Sequence, residues 1–273
     1  MRRRWMLIGV LILIVTTLVT FIIFNTKKGK ISRPIKQAST GSLVNLSNQA
    51  RDLESQGNLL GAKGVYKRLI NEFPNSGQIL DWQNKIEDIN IKSLFSSNIT
   101  AQSILYEIKP GDTLIKIASE FNTTPDLIMK SNNLASDKIL AGRKIKVWTA
   151  PFSMLVDKSQ NILMLKSNNE IIKTYIVATG INNSTPVGTF KIINKLPNPT
   201  WFKAGAVVPP DSPENILGSR WLGFDLRGYG LHGTTDPQNL GKQITEGCIR
   251  LSNPDVEALY TIIPVGTEVT VVD

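Results

Sequence analysis

The pattern of hydrophobic and polar positions changes three times along the 273 residues. An uncharged run occupies residues 5–24, and its 20 residues at about 1.5 Å each are enough to cross the hydrocarbon core of a bilayer. Between residues 43 and 89, apolar residues recur every three or four positions, which predicts amphipathic helices. From residue 151 onward, short β-prone runs alternate with polar turns, which predicts a domain made mainly of strands.

The run at residues 5–24 is predicted to be a transmembrane helix. A cleaved signal peptide is the competing interpretation, but the run is long for one, and Asn25 and Thr26 follow it without a small-x-small cleavage site. Its flanks do not orient it, because three arginines and the terminal amine on one side face five basic residues on the other. An uncleaved anchor is therefore favoured, and its orientation has to come from the function of the rest of the chain.

Charge is concentrated around this run. The chain has 31 Lys and Arg against 22 Asp and Glu, a net charge of +9, and eight of the basic residues lie within residues 1–36, where no acidic residue occurs. The remainder is close to neutral, whereas nucleic-acid binding needs a basic face on a folded domain. The distribution argues against nucleic acid as a partner, and the polar residues 27–42 are predicted to form a flexible linker.

An α-helical segment is predicted over residues 43–95, with breaks at Gly57 and Pro74. The placement of Gly57, Tyr66 and Pro74 resembles a single tetratricopeptide repeat with a capping helix, although such arrays usually need about three repeats for stability. A plain helical hairpin that acts as a spacer explains the same pattern. Neither interpretation assigns any chemistry to the segment.

Residues 105–148 are predicted to form a βααβ unit. A turn at Gly111 separates the first strand from the first helix, and Thr124 with Pro125 marks the start of the second helix. Alternating residues at 144–147 predict a returning strand.

This unit resembles the LysM family over the whole family length. The resemblance rests on Gly-Asp-Thr-Leu at 111–114, Ile-Ala at 117–118, Asn-Asn-Leu at 132–134, and Ile139 with Gly142. It implies binding of N-acetylglucosamine-containing glycans, such as peptidoglycan, in a groove between two loops. The glycan-binding residues that it implies are Gly111, Asp112, Thr113, Leu114, Ile139, Leu140 and Ala141. Asp112 and Thr113 have a second interpretation, as caps of the first helix, and both interpretations stay open here.

A mainly-β domain is predicted over residues 152–273, built as a single sandwich or a distorted barrel. The predicted strands lie at residues 154–156, 162–165, 171–179, 188–196 and 268–272. The Pro-rich stretch 197–213 is predicted to be a surface loop that carries Trp201.

The chain has one cysteine and one histidine, Cys248 and His232. They exclude an internal disulfide, and a metal site would have to rest mostly on carboxylates. Taken singly, each is more simply explained as a buried small side chain and an ordinary imidazole. Together they match acyl transfer, because a cysteine nucleophile needs a base, and His232 supplies one. Gly247 leaves room for backbone N–H donors to an oxyanion, and Arg250 offers a guanidinium for a substrate carboxylate.

These residues resemble the YkuD family of L,D-transpeptidases. The blocks that carry the resemblance are 178–180, 185–190, 218–221, 232–234, 247–251 and 264–267. The resemblance implies that Cys248 is the nucleophile and His232 the proton acceptor and donor, oriented by the Gly233 carbonyl. It places the oxyanion on the backbone N–H groups of Gly247 and Cys248, and gives Arg250 a role in holding substrate or site geometry. No cofactor or metal is implied.

Thr245 and Glu246 depart from the family pattern, which has Ser and His there. Thr245 keeps the hydroxyl and is expected to support the site. Glu246 puts a role for a second imidazole in doubt, and a carboxylate near the thiol tends to raise its pKa. Trp201, Trp221 and Tyr229 are candidates to line the site, although aromatic residues in a β domain are more often core.

The resemblance implies attack of Cys248 on a peptidoglycan stem peptide, loss of the terminal D-Ala, and a thioester. The acceptor that resolves the thioester decides the product. A diaminopimelate amine gives a 3→3 cross-link, water makes the protein a carboxypeptidase, and a protein lysine makes it an anchoring enzyme. The alternative is an inactive wall-binding structural protein that acts through its LysM unit. A redox thiol protein lacks a resolving cysteine.

The expected partners are peptidoglycan stem peptides and glycan strands, with the membrane contacted through residues 5–24. Since peptidoglycan lies outside the cytoplasmic membrane, the catalytic domain is expected to be external. The predicted organisation is a cytoplasmic tip and transmembrane anchor (1–26), a flexible linker (27–42), a TPR-like helical spacer (43–95), a LysM module (104–149) and a catalytic domain (152–273).

Overall fold

The computed structural model describes residues 40–168, 170–203 and 205–273. The predicted anchor, and the linker apart from residues 40–42, lie outside the described residues. None of the helices in the described ranges combines the length and the apolar character needed to cross a membrane. The helices and strands are, in chain order, α1 Thr40–Ser55, α2 Leu59–Glu72, α3 Ile79–Leu94, β1 Ser103–Glu107, α4 Leu114–Glu120, α5 Pro125–Ser131, β2 Lys144–Trp148, β3 Phe152–Asp157, β4 Ile162–Ser167, β5 Glu170–Ile176, β6 Thr179–Gly180, β7 Gly188–Pro197, β8 Trp201–Lys203, β9 Ala206–Val208, β10 Arg220–Phe224, β11 Gly230–His232, β12 Gln243–Thr245, β13 Ile249–Arg250, α6 Asn253–Ile262 and β14 Glu268–Val272.

Helices α1–α3 form where the helical period predicts them. Helix α1 begins at Thr40, so the linker interpretation is wrong for residues 40–42. The Asn58 side chain accepts a hydrogen bond from the Gly61 N–H at 3.0 Å and so caps α2. The apolar stripes of the three helices pack against one another through Leu46, Ala50, Ala62, Val65, Tyr66, Leu69, Trp82 and Ile89.

Helix α3 packs along β5, which is an edge strand of the large sheet. The buried Asn90 amide donates to the carbonyls of Ile171 and Ile172 at 3.0 and 3.3 Å. A helix that covers a sheet edge gives the edge groups partners and blocks pairing with other chains. The helices belong to the same compact unit as the sheet, residues 40–273, and the spacer interpretation stays a prediction.

The βααβ prediction for the next segment is confirmed. Strands β1 and β2 pair antiparallel, and Thr113 caps α4 by accepting the Lys116 N–H at 3.2 Å. Thr124 caps α5 through the Leu127 N–H at 2.9 Å, and Pro125 occupies the first helical position.

The βααβ unit is docked on both neighbours. The buried Lys146 ammonium donates to the carbonyls of Ser93 and Ser96 at 2.6 and 2.8 Å, at the C-terminus of α3. A cation is favourable at that end of a helix, although burial lowers the pKa of Lys146 to about 8. On the other side, Leu127 joins the core of the large sheet.

Eight strands form one mixed sheet in the order β13-β11-β10-β7-β14-β3-β4-β5. The mainly-β prediction is confirmed, and one core takes side chains from strands at both ends of this order and from α6. The sandwich or barrel stays a prediction. Helix α6 is capped by Ser252, which accepts the Asp255 N–H, and it buries Val256, Leu259 and Ile262. The sequence interpretation missed this helix.

Residues 201–208 form the hairpin β8–β9, and the prediction of an irregular loop there is wrong. Trp201 and Phe202 pair with Val208 and Val207, which are residue types that favour strands, and Gly205 makes the turn with a φ of +76°. Phe202 is 75% exposed. The hairpin borders the cavity described next.

Candidate active site

Cys248 and His232 come from neighbouring parallel strands at one edge of the large sheet. His232 ends β11 and is paired with Arg250 of β13, and Cys248 lies one residue before β13. Paired residues project to the same face of a sheet, and successive residues to opposite faces. The side chains of His232, Arg250 and Cys248 therefore share one face. Leu231 and Ile249 are fully buried on the other face, which fixes this register.

Cys248 opens into a cavity of about 300 Å³ on this face. Trp221 belongs to the same face, since it pairs with His232 on one side and Leu196 on the other. Both Trp201 and Trp221 line the cavity, whereas Tyr229 packs against Gly247. The rest of the lining is Leu196, Pro199, Thr200, Phe202, Leu217 and Gly228.

The Cys248 thiol is held between two backbone groups. Its Sγ donates to the Gly228 carbonyl at 3.4 Å, and the Gly230 N–H donates to the sulfur. Burial raises the pKa of Cys248 to about 11, and Glu246 adds to this, while the Gly230 N–H and the Arg250 charge oppose it. The thiol is therefore protonated at neutral pH.

The His232 imidazole is buried and neutral. Its Nδ1 lies 2.7 Å from the Gly233 carbonyl, so a protonated Nδ1 donates there and Nε2 is the nitrogen able to accept a proton. Burial lowers the pKa of His232 to about 4, and the Gly233 and Leu217 carbonyls oppose this shift. The Trp221 ring stacks on the imidazole with centroids 6.1 Å apart.

The predicted oxyanion role of Gly247 is not supported by the direction of its N–H. That N–H donates to Thr245 Oγ1 at 3.2 Å, and the Thr245 hydroxyl in turn donates to the Cys248 carbonyl at 2.6 Å. The buried hydroxyl thus closes the turn before Cys248 and is the acceptor of the Gly247 N–H. Position 247 still requires glycine, because its φ is +138° and a Cβ would lie 2.7 Å from the Tyr229 ring.

Arg250 is half-buried, and its charge acts on both Cys248 and His232. Burial lowers the pKa of its guanidinium, and the Asp236 and Cys248 side chains oppose that shift. Among the described residues, no hydrogen-bond partner reaches Arg250 Nε. Glu246 is exposed. The substrate role of Arg250 stays a prediction.

The structure divides the predicted glycan-binding residues into two groups. Asp112 accepts hydrogen bonds from the Lys109 N–H and the Tyr106 hydroxyl at 2.8 and 2.9 Å, and Thr113 caps α4. Leu114 is a core residue, 2% exposed. The capping interpretation therefore accounts for Thr113, and the Asp112 carboxylate holds the preceding turn. The Leu114 side chain is not accessible to a ligand, and glycan binding at these positions stays a prediction.

Gly111, Leu140 and Ala141 are exposed, and Ile139 is half-buried against the module core. The two loops are brought together by backbone hydrogen bonds, from the Gly142 N–H to the Ile108 carbonyl at 2.8 Å and from the Ile108 N–H to the Arg143 carbonyl at 3.0 Å. The sequence interpretation missed Ile115, which follows the first loop and is 73% exposed.

Around Cys248 and His232, the sequence interpretation missed Leu217, Gly228, Gly230 and Asn253. The first three act through backbone groups, which give no side-chain signal. Asn253 could have been found from the sequence, because Ser-Asn-Pro-Asp at 252–255 is typical of the start of a helix. A polar side chain at such a position is able to hydrogen-bond to the backbone of neighbouring turns.

Comparison with known proteins agrees with both resemblances found in the sequence. Residues 151–271 match the model of the L,D-transpeptidase catalytic domain, and residues 106–148 match the LysM domain. L,D-transpeptidase YkuD of Bacillus licheniformis is 35% identical over 176 residues, 62% of this chain and 98% of that protein. The protein of the same name from Bacillus subtilis (strain 168) is 35% identical over 175 residues, again 62% of this chain and 98% of that protein.

Among solved structures, an L,D-transpeptidase from Mycobacterium tuberculosis H37Rv covers 50% of this chain and 75% of its own, with 16% identity and a TM-score of 0.40. The sequence relationship is closer, since it spans nearly the whole of both Bacillus proteins. By that relationship and the matched catalytic domain, this chain belongs to the L,D-transpeptidase family and carries a LysM domain.

Proposed function

We propose that this protein is a membrane-tethered peptidoglycan L,D-transpeptidase with Cys248 as nucleophile and His232 as proton acceptor and donor. The observation that carries the proposal is the single sheet face that holds the thiol, the imidazole and the Arg250 guanidinium, with the thiol at a cavity. A stem peptide seated there brings its scissile carbonyl to a sulfur with a base nearby.

In the acylation step, Cys248 Sγ attacks the carbonyl of the third stem residue. The S–C bond forms, the thiol proton passes to His232 Nε2, and the carbonyl oxygen becomes an oxyanion. Collapse breaks the C–N bond to the terminal D-Ala, whose amine takes the proton from the imidazolium. A thioester on Cys248 and free D-Ala result.

Both reacting groups are neutral before the substrate binds, because burial raises the pKa of Cys248 and lowers the pKa of His232. Proton transfer therefore accompanies attack on the carbonyl and does not precede it. The imidazolium that forms is stabilised by the Gly233 carbonyl and by the stacked Trp221 ring.

The oxyanion is assigned to the Cys248 N–H, with the Arg250 charge nearby. Gly247 is left out of this role because Thr245 already accepts its N–H. A preorganised donor aimed at the developing charge is usually the largest single contribution to such a step.

Resolution of the thioester needs an acceptor that enters from the cavity. A diaminopimelate amine of a neighbouring stem gives a 3→3 cross-link, and water gives the free tripeptide. His232 takes the acceptor's proton and returns it to the sulfur as the thioester opens. The exposed Glu246 carboxylate, two residues before Cys248, attracts a cationic ammonium, which loses one proton to solvent before its neutral amine attacks the thioester.

The LysM domain is proposed to hold the enzyme on glycan strands through Gly111, Leu140, Ala141 and the exposed Ile115. Residues 5–24 are proposed to anchor the chain, with Arg2–Arg4 cytoplasmic and Lys27 onward external. This orientation follows from the substrate, since peptidoglycan lies outside the cytoplasmic membrane.

The proposal is tested with the compact unit, residues 40–273, and a purified disaccharide-tetrapeptide. We expect release of D-Ala and formation of a dimer lacking one D-Ala, both measured by mass spectrometry. Cys248→Ala and His232→Gln should abolish both products, with fold checked by circular dichroism. A folded wild-type protein that binds sacculi but releases no D-Ala would reassign the chain as a wall-binding structural protein.

A further inference from the structure

The peptide group between Gly233 and Thr234 is hydrogen-bonded at both ends. Its carbonyl lies 2.7 Å from His232 Nδ1, and its N–H donates to Asn253 Oδ1 at 3.1 Å. A peptide group is planar, so fixing the direction of its N–H also fixes the direction of its carbonyl. The Asn253 side chain thus orients the carbonyl that holds the imidazole.

The same Asn253 oxygen holds a second segment beside the imidazole. It accepts a hydrogen bond from the Ser219 N–H at 3.1 Å. Two residues earlier in that segment, the Leu217 carbonyl interacts with the His232 ring and raises its pKa. One side-chain oxygen therefore ties together the two turns that supply both backbone carbonyls at the base.

The space for this oxygen depends on two glycines. A Cβ on Gly218 would lie 2.2 Å from Asn253 Oδ1, and a Cβ on Gly233 would lie 2.1 Å from it. Gly218 also has a φ of +63°, which favours glycine. The two turns close around Asn253 only because both positions lack a side chain.

Asn253 is itself held firmly. It is the first residue of α6, whose N-cap is Ser252 and whose inner face is buried. It lies five residues after Cys248 on a segment whose Arg250 pairs with His232. The nucleophile and the group that orients the base therefore sit on one short segment.

We propose that Asn253 is a positioning residue that sets the tautomer and the orientation of His232 through the Gly233–Thr234 peptide group. With its N–H bound by Asn253, the peptide carbonyl is polarised toward Nδ1, which favours the Nδ1–H tautomer and leaves Nε2 to receive the thiol proton. The catalytic meaning rests on the proposed function, but the tautomer is a property of the folded protein and is measured without substrate.

His232 is the single histidine of the chain, so protein labelled with ¹⁵N-histidine gives one pair of imidazole nitrogen signals. For residues 40–273 at pH 7, we expect the pattern of a protonated Nδ1 and an unprotonated Nε2. In Asn253→Ala, the opposite tautomer should appear and kcat/KM for D-Ala release should fall about 100-fold, the scale of a misplaced catalytic group.

Asn90→Ala is the matched control, because the Asn90 side chain also makes two hydrogen bonds with backbone atoms, and these lie far along the chain from the site. It should lower stability and leave the ¹⁵N pattern unchanged. A purely structural role for Asn253 predicts the same unchanged pattern in Asn253→Ala, and that result would overturn the proposal.

Asn253→Asp keeps an oxygen that accepts both N–H bonds and adds a negative charge. It should restore the Nδ1–H tautomer and move the low-pH limb of kcat/KM to higher pH, because the charge favours the imidazolium. If Asn253→Ala does not fold, an Nε2–H pattern in the wild type, or an unshifted His232 titration in Asn253→Asp, overturns the proposal. Absence of D-Ala release by the wild type would instead contradict the proposed function and leave the ¹⁵N result standing.

Discussion

Cys248 and His232 lie on one face of two parallel strands but are not paired with each other, because His232 is paired with Arg250. Gly230, two residues before His232, lies beside Cys248 and donates its N–H to the sulfur. Burial acts in opposite directions on the two side chains, since it disfavours a thiolate and an imidazolium alike. The raised pKa of Cys248 and the lowered pKa of His232 therefore leave both side chains neutral at pH 7.

Alkylation of Cys248 by iodoacetamide is expected to be slow at pH 7 and to rise steeply toward a midpoint near its pKa of about 11. The chain has one cysteine, so the measurement has no background from other thiols. The rate is followed by mass spectrometry over pH 6–11, within the range where circular dichroism shows a folded protein. Glu246→Gln should move the midpoint to lower pH. A rate that is already at its plateau at pH 7 would show a thiolate–imidazolium pair and contradict a neutral resting site.

Acid destabilisation should include a contribution from His232. Its pKa falls from 6.5 in the unfolded chain to about 4 in the fold, so between these values the unfolded state binds a proton that the folded state excludes. Stability from this source is present above pH 6.5 and is lost as the pH falls toward 4, by about 3 kcal/mol in total. Urea unfolding at pH 7, 5 and 4 should show a shallower loss for His232→Gln than for the wild type. Equal losses would contradict a buried neutral imidazole.

The sequence predicts the local elements well where a single physical signal decides them. Thr113 and Thr124 are N-caps in front of apolar periodic runs, and both cap helices in the structure. The Cys248 and His232 pair is also readable, because each residue type occurs once in the chain. The sequence does not determine where a single backbone N–H points. The hydrogen bond from the Gly247 N–H to the Thr245 hydroxyl could therefore not be predicted.

The packing of the helical segment against the LysM domain and against the large sheet also could not be predicted from the sequence. Lys146 alternates with apolar residues like any solvent-facing lysine of a strand, but its ammonium is buried against the carbonyls at the end of α3. Asn90 likewise reads as a surface residue of an amphipathic helix. These contacts join residues about 50 to 80 positions apart, and no local pattern encodes them.

The Thr245 hydroxyl is expected to contribute more to activity than the volume of the Thr245 side chain. Thr245→Val keeps the volume but removes the bridge between the Gly247 N–H and the Cys248 carbonyl, so the nucleophile turn loses its only side-chain closure among the described residues. We expect kcat/KM for D-Ala release to fall about 10- to 100-fold, on the scale of lost positioning. Thr245→Ser keeps the hydroxyl and should retain most activity. Full activity in Thr245→Val would show that the turn holds without the bridge.

Binding to insoluble sacculi should depend on exposed apolar residues next to the two LysM loops. Leu140→Asp and Ile115→Asp place a charge where apolar atoms are expected to cover the acetamide methyl of the glycan, and both positions are more than 70% exposed. Each should reduce pull-down by sacculi and leave turnover of small soluble muropeptides unchanged. Val265→Asp, which changes an exposed residue of the catalytic domain by the same charge, is the control. Equal losses of pull-down in all three would assign the effect to repulsion from the wall.

Removal of the helical segment should destabilise the catalytic domain, although no chemistry is assigned to those helices. A chain of residues 100–273 lacks α3, which exposes the β5 edge, the Ile172 side chain and the carbonyls bound by Asn90. It also removes the carbonyls of Ser93 and Ser96, and with them the two hydrogen bonds from the Lys146 ammonium that join β2 to the end of α3. We expect a lower urea midpoint than for residues 40–273, and a smaller loss in the full unit carrying only Lys146→Met, because methionine removes the charge with its need for partners. An unchanged midpoint in residues 100–273 would show that the helices are a spacer after all.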